Sequence, residues 1–267
     1  MNSFIIDPTD DTAMNENARH PVKSLETTVA IIEALKEMRS AHLRDLADEL
    51  DMNKSTVHNH LSTLREHEYV IKNGEAYQLS LQFLNIGGIL RDDVDLFGAA
   101  KPKVDDLAAE TGELVTLATH ERGLGVVLYR AKGENAVELD THIGSQLALH
   151  YSGLGKAMMA HLPPAEIDEI IDQRGLPPET PNTITDPERM REELETVEEQ
   201  GWAYDDEERW RGLRCVAAPI RTEDGEVRGA VSLSTPKSRM ATDADKHEFV
   251  DAVKNTANLI ELSLTYS

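Results

Sequence analysis

Apolar positions along the first eighty residues recur at helical spacing, then at strand spacing, in a definite order. Leu25, Val29, Ile32 and Leu35 predict a helix over residues 24–38. Leu46, Ala47 and Leu50 predict a short second helix over 44–50. Val57, Leu61 and Leu64, at i, i+4 and i+7, mark one stripe of a third helix that starts after Asn53, a natural N-cap. Residues 69–72 and 76–79 are rich in strand formers and flank Asn73-Gly74, a strong hairpin signal. Helix, helix, turn, helix and hairpin within about sixty residues predict a winged helix-turn-helix, with the third helix in the major groove and the hairpin as its wing. Residues 81–94, with Leu84, Ile86, Ile89 and Leu90, predict a linker helix weakened by Gly87-Gly88. Its apolar side fits either a partner chain or its own.

From Ala99 the pattern turns to mixed α/β. Helices are expected over 101–111, 152–161, 164–173, 186–200 and 242–264. Strands are expected over 114–120 and 125–131, joined around Glu121-Arg122-Gly123, and over 214–221 and 227–235, joined near Asp224-Gly225. The fold class is therefore α+β, divided as a disordered tail over 1–20, a winged helix-turn-helix over 21–80, a linker helix over 81–98 and a mixed α/β domain over 99–267, the last two being the dimerisation and effector-binding parts only on the resemblance given below.

Composition sharpens this picture. The 267 residues carry 49 Asp+Glu against 27 Lys+Arg, a net charge of -22. DNA binders usually gain affinity from basic surfaces, so such acidity argues either against DNA or for an unusual solvent. Molar salt shortens the Debye length to roughly 3 Å, and a dense carboxylate surface then aids solubility. We therefore expect a host with a salt-filled cytoplasm. The acidity is also uneven: residues 21–80 hold seven Lys/Arg against ten Asp/Glu, and no acid falls within 52–65. No apolar run approaches the ~18 residues of a membrane span, and the start lacks the basic and apolar regions of a signal peptide. A cytoplasmic protein without membrane contact is expected. One cysteine, Cys215, excludes an internal disulfide and a cysteine-based zinc cluster.

The chemistry then falls into two sets. On the third helix Ser55, Thr56, Asn59 and Ser62 oppose the apolar stripe, as short hydrogen-bonding side chains suited to base edges and phosphates. Lys54 and His58 flank them, and Lys72 on the wing would lie near the flanking backbone. In the second half, Ser152 should cap a helix and leave the amides of Gly153 and Leu154 free at its N-terminus, an arrangement that attracts anions. Ser232 and Ser234 stand on one side of a strand and Leu233 on the other. Paired hydroxyls on an apolar strand suit a polar cavity wall or simply the solvated face of a sheet. Residues 153–157 are not a phosphate loop, because the first glycine is missing and Ala157 replaces the Ser/Thr. His58 and His60 diverge on their helix, and nothing in the spacing of His120, His142 and His150 joins them, so neither metal nor cofactor is expected.

Three segments carry a family resemblance. Residues 53–58 (NKSTVH), 149–157 (LHYSGLGKA), and the run 201–208 (GWAYDDEE), 212–220 (GLRCVAAPI) and 231–236 (VSLSTP) are similar to signatures of the IclR family of transcription regulators, over roughly residues 21–266. The resemblance implies a GAF-like effector domain, a homodimer or dimer of dimers, a palindromic double-stranded DNA operator, and a small organic acid, aromatic acid or sugar derivative as effector. It favours the cavity wall for Ser232 and Ser234 and adds Asp205 and Cys215 to the lining. Two departures stand out: Asn59 where the family often has arginine, so the operator sequence does not carry over, and His60 where it tends to have leucine. The competing readings are a cysteine-dependent enzyme using Cys215, which lies within a predicted strand with no identifiable base, and a ligand sensor that has lost DNA binding through its acidity.

Overall fold

The computed structural model describes residues 20–266, so the expected N-terminal tail lies, His20 apart, outside the described residues. The chain divides into two compact units, one ending at Asp93 and the other beginning at Val94.

The first unit runs α1 (Lys23–Met38), β1 (Ala41–His42), α2 (Leu43–Glu49), α3 (Lys54–Glu66), β2 (Val70–Asn73), β3 (Ala76–Leu79) and α4 (Gln82–Asp92). Ile31, Leu35, Leu46, Val57, Leu61, Val70 and Tyr77 form its core. The expected stripe of α3 is buried in full. That of α1 is not: Leu25 and Val29 are 63% and 57% exposed, while Ile31 and Leu35 fill the core. Ile31 lies two residues, about 200° around the helix, from Val29, so the apolar residues of α1 occupy two faces. Asn53 holds the N-cap position of α3, but its side chain makes no capping bond. The hairpin turns at Gly74 with φ 62°, a conformation that favours glycine. The two-residue β1 pairs with β3 and makes the wing sheet three-stranded. α4 stays helical through Gly87-Gly88 and buries none of its residues; Leu81 and Leu84 are 80% and 70% exposed.

The second unit comprises α5 (Asp95–Thr111), β4 (Leu114–Glu121), β5 (Leu124–Lys132), β6 (Gln146–Ala148), α6 (Gly153–Met159), α7 (Pro164–Arg174), α8 (Pro187–Gln200), β7 (Ala203–Asp206), β8 (Leu213–Arg221), β9 (Val227–Pro236) and α9 (Asp243–Thr265). Its antiparallel sheet has the order β6-β5-β4-β9-β8-β7. Side chains alternate between two layers. Val115, Leu117, Val216, Val231 and Leu233 pack with residues of α5 and α9. Ala118, Ala217 and Ala230 pack with residues of α6, α7 and α8. Helix α5 starts at Asp95, earlier than expected, and runs through Pro102.

Candidate functional site

The second layer holds a cavity because β4, β8 and β9 present small or polar residues there. Thr116 pairs with Ser232, Cys215 with Ser234 and Ala217 with Ser232. Partners directly opposite in a ladder share a face, so Thr116, Cys215, Ser232 and Ser234 form one wall. Leu233 points into the opposite layer. The far wall is the start of α6. Ser152 Oγ accepts from the Gly155 amide at 3.1 Å, as expected of a cap. A Cβ on Gly155 would fall 2.0 Å from the Leu149 carbonyl oxygen, so only glycine lets the entering chain fold back on the helix. A Cβ on Gly153 would come within 3.2 Å of Cys215 Sγ, so Gly153 packs on the cysteine rather than lining the space itself.

Ser152, Leu154, Asp205, Cys215, Ser232 and Ser234 line one cavity of about 40 Å³. The sequence had singled out all six. Thr116, Thr141, Arg209, Trp210 and Arg214 line it too and were missed. Thr116 had a readable signal, since it pairs directly with Ser232 across the sheet. The others come from loops and a strand end that only the folded chain brings together.

Behind this wall lies a buried ionic cluster. Lys156, wholly buried on α6, donates to Glu208 Oε1 at 2.5 Å and Glu193 Oε1 at 2.8 Å. Burial acts against the Lys156 ammonium, but Glu208 and Glu193 outweigh it and hold its pKa above the ordinary value. Burial pushes the Glu208 carboxyl up to about 7, against the pull of Lys156. It also pushes the Asp205 carboxyl up to about 6, against the Glu208 amide and Lys156. Asp205 Oδ1 accepts the Glu208 amide at 2.8 Å, and Thr183 Oγ1 donates to the Glu208 carbonyl at 2.6 Å. The 207–212 loop, which carries Arg209 and Trp210 to the cavity, is thus tied from behind. Arg209 lies 5.8 Å from the ring centres of both Tyr151 and Trp210. Burial drives the Cys215 thiol up to about 12, with the Asp205 charge adding to it.

On the first unit Lys54, Ser55, Thr56, His58, Asn59 and Ser62 are all exposed along α3. His60 is half-buried, its Nδ1 2.8 Å from Thr28 Oγ1, which ties α3 to α1 by a hydrogen bond at the position where leucine was expected. Lys72 on the wing is exposed but engaged, 3.1 Å from Glu75 and 5.5 Å above the Tyr77 ring. Among the described residues no cluster of His, Cys, Asp and Glu could hold a metal, and no helix is long and apolar enough to cross a membrane.

A winged helix whose exposed face is polar and free of acids from Lys54 to Arg65, followed by a sheet domain around a polar cavity, defines a DNA-binding regulator with a sensor domain. Comparison with known proteins agrees. Residues 24–74 match the IclR helix-turn-helix domain, and residues 90–262 match the bacterial transcriptional regulator IclR C-terminal domain. The chain is 34% identical to a probable HTH-type transcriptional regulator, ArcR, of Halobacterium salinarum, over 96% of this chain and 98% of that one. The crystal structure of the Thermotoga maritima IclR protein superposes with a TM-score of 0.76 at 26% identity, covering 91% of this chain and 98% of that one. An IclR homologue from Microbacterium hydrocarbonoxydans, complexed with 4-hydroxybenzoate, shares the fold at a TM-score of 0.76 and 22% identity, covering 90% of this chain and all of the other. The chain belongs to the IclR family of transcriptional regulators.

Proposed function

We propose that this regulator reads a palindromic operator through α3 and is switched by a small organic acid, aromatic acid or sugar derivative bound in the cavity beneath Ser232 and Ser234. The observation that carries the reading is the convergence of Ser152, Leu154, Asp205, Cys215, Ser232 and Ser234 on one enclosed space. Effector sites commonly measure roughly 300–1,000 Å³, so a ligand of that size requires the cavity here, at about 40 Å³, to widen. Widening would have to move the loop carrying Arg209 and Trp210 against the bonds that tie Glu208 behind it. The homologue that holds 4-hydroxybenzoate supports a small acid as the ligand class. A thiol enzyme is disfavoured, since a thiol pushed to about 12 supplies almost no thiolate at neutral pH.

The protein acts as a homodimer or dimer of dimers in a salt-filled cytoplasm. Leu81, Leu84 and Ile89 leave an apolar side of α4 uncovered, with Leu90 exposed on another, which suits a second copy. The relative in Halobacterium salinarum supports the salt-adapted setting.

Fluorescence anisotropy on DNA from upstream of the chain's own gene, in molar potassium chloride with scrambled competitor, tests the reading. Selective binding is expected. Asn59→Ala should reduce the preference for operator over scrambled DNA by about 10- to 100-fold, the worth of one base-reading pair, with an unchanged melting temperature. Undiminished preference in this variant removes α3 from its role.

A further inference from the structure

We infer that the loop of residues 207–212 is a proton-coupled latch on the cavity: it lies closed while Glu208 and Asp205 hold a proton between them, and it opens as that proton leaves. The latch rests on the cavity being the effector site for its purpose, though not for its motion. Arg209 and Trp210 of the loop line the cavity, and Glu208 is buried behind them. Four bonds fix the loop through Glu208. Its Oε1 accepts from Lys156 of α6 at 2.5 Å, and its amide donates to Asp205 Oδ1 at 2.8 Å. Its carbonyl accepts from Thr183 at 2.6 Å and from Thr180 at 3.1 Å. The two strongest of these ties run through carboxyl groups that gain or lose charge with pH.

The cluster holds more acid than base. Asp205 of β7, Glu193 of α8 and Glu208 face the single ammonium of Lys156, and Arg209 adds a guanidinium beside Asp205. Three carboxylates against two cations leave one negative charge over. Glu193 keeps 30% of its side chain in solvent, whereas Asp205 and Glu208 are buried. Asp205 Oδ1 takes two amides, the second from Arg209 at 3.4 Å, but Glu208 Oε2 is sealed and receives no donor. A buried anionic oxygen without a donor is costly, and a proton removes its charge. Two acids that feel each other in this way titrate as a pair. Burial accordingly lifts Glu208 from 4.5 to about 7 and Asp205 from 3.8 to about 6. Swung into solvent, Glu208 returns toward its ordinary value. The closed loop therefore binds more proton than the open one. Closure is favoured at low pH, weakens as pH rises to about 7, and weakens no further above it.

Cys215 reports the opening, because it is the one cysteine of the chain and is buried against the cavity. The full chain in molar potassium chloride is alkylated with iodoacetamide across about pH 5 to 8, beside Glu208→Gln. The ratio of the two rates cancels the thiol's own dependence on pH. Wild type over variant should rise by up to about tenfold per pH unit, the limit for one proton, until about pH 7, and then level off. A flat or falling ratio overturns the latch. Dilute urea should leave both rates unchanged, as a local opening requires; rates that climb with urea as steeply as global unfolding overturn it too. Infrared spectra of the wild type give a readout that needs no variant to fold: the band of a protonated carboxyl should vanish as pH passes about 7, and its absence at mildly acidic pH counts against the shared proton. Asp205→Asn should move that step to lower pH, since the neighbouring charge is gone; an unmoved step means that the two acids share nothing. The effector reading fails separately: a latch that behaves as expected, with a Ser234→Ala variant that releases operator normally for every small acid and sugar, is a gate on a cavity that is not the effector site.

Discussion

At the residue scale, the buried pair of Lys156 and Glu208 decides how the cavity wall is held. A buried ion pair is weak evidence for stability, because desolvation opposes the attraction. Both effects are visible here: burial raises the Glu208 carboxyl to about 7 even with the ammonium at 2.5 Å. The sign of the consequence follows. Between its ordinary value of 4.5 and about 7, Glu208 holds more proton in the folded chain than in the unfolded one. Stability contributed by this group is then greatest at low pH, falls as pH rises across that window, and falls no further above it. Asp205, raised from 3.8 to about 6, acts in the same direction over a lower window. Glu208→Gln should remove the first of these. The difference in unfolding free energy, wild type minus variant, measured by denaturant titration at fixed potassium chloride, should decline from pH 4.5 to about 7 and be flat beyond. A difference that rises with pH would mean that the lysine dominates Glu208 and keeps it ionised throughout.

At the scale of elements, legibility followed length and period. Helix α3 spans more than three turns with one apolar stripe, and its buried and exposed residues match the expected faces one for one. The hairpin of β2 and β3 was marked by Asn73-Gly74, and the Ser232–Ser234 wall by strand alternation. β1, β6 and β7, of two to four residues, are too short for a period to be read, and their pairing is set by distant partners. Arg209 and Lys156 owe their positions to contacts across many residues, which local spacing does not encode. Helix α1 misled because Leu25 and Val29 are apolar yet exposed. That exposure, with the bare side of α4, carries the dimer argument. In a two-fold interface each residue is buried twice, and a fully buried leucine contributes about 1.5–3 kcal/mol. Leu84→Glu should therefore weaken self-association by about a hundredfold or more in analytical ultracentrifugation, with little change in the fold, since Leu84 is 70% exposed within the protomer. An unaltered sedimentation coefficient would move the dimer contact away from α4.

At the scale of the whole molecule, acidity and DNA binding must be reconciled. Phosphate contacts lose value steeply in salt, log K falling by about 0.9 for each log unit of salt per phosphate neutralised. A regulator working in molar salt gains little from such contacts and must rely on base-edge hydrogen bonds, which salt does not screen in the same way. The chain is built to that pattern. On α3 and the wing the cations are Lys54, Arg65 and Lys72, and Lys72 is already engaged by Glu75. The remaining exposed face is neutral and polar over Ser55, Thr56, Asn59 and Ser62, and meets an acid only at Glu66 in the last turn. Two free cations per protomer give a dimer a salt slope of about -4 or shallower. Titrating potassium chloride from dilute to molar should show that slope in operator affinity while the melting temperature rises beyond 1 M, past the point where simple screening with a Debye length of about 3 Å is spent. A slope of about -8 or steeper would mean that the phosphate backbone carries the affinity, and the neutral face of α3 would lose its claim to read the operator. A melting temperature that levels off by a few tenths molar would mark an ordinary acidic protein, because long-range repulsion alone is already screened there.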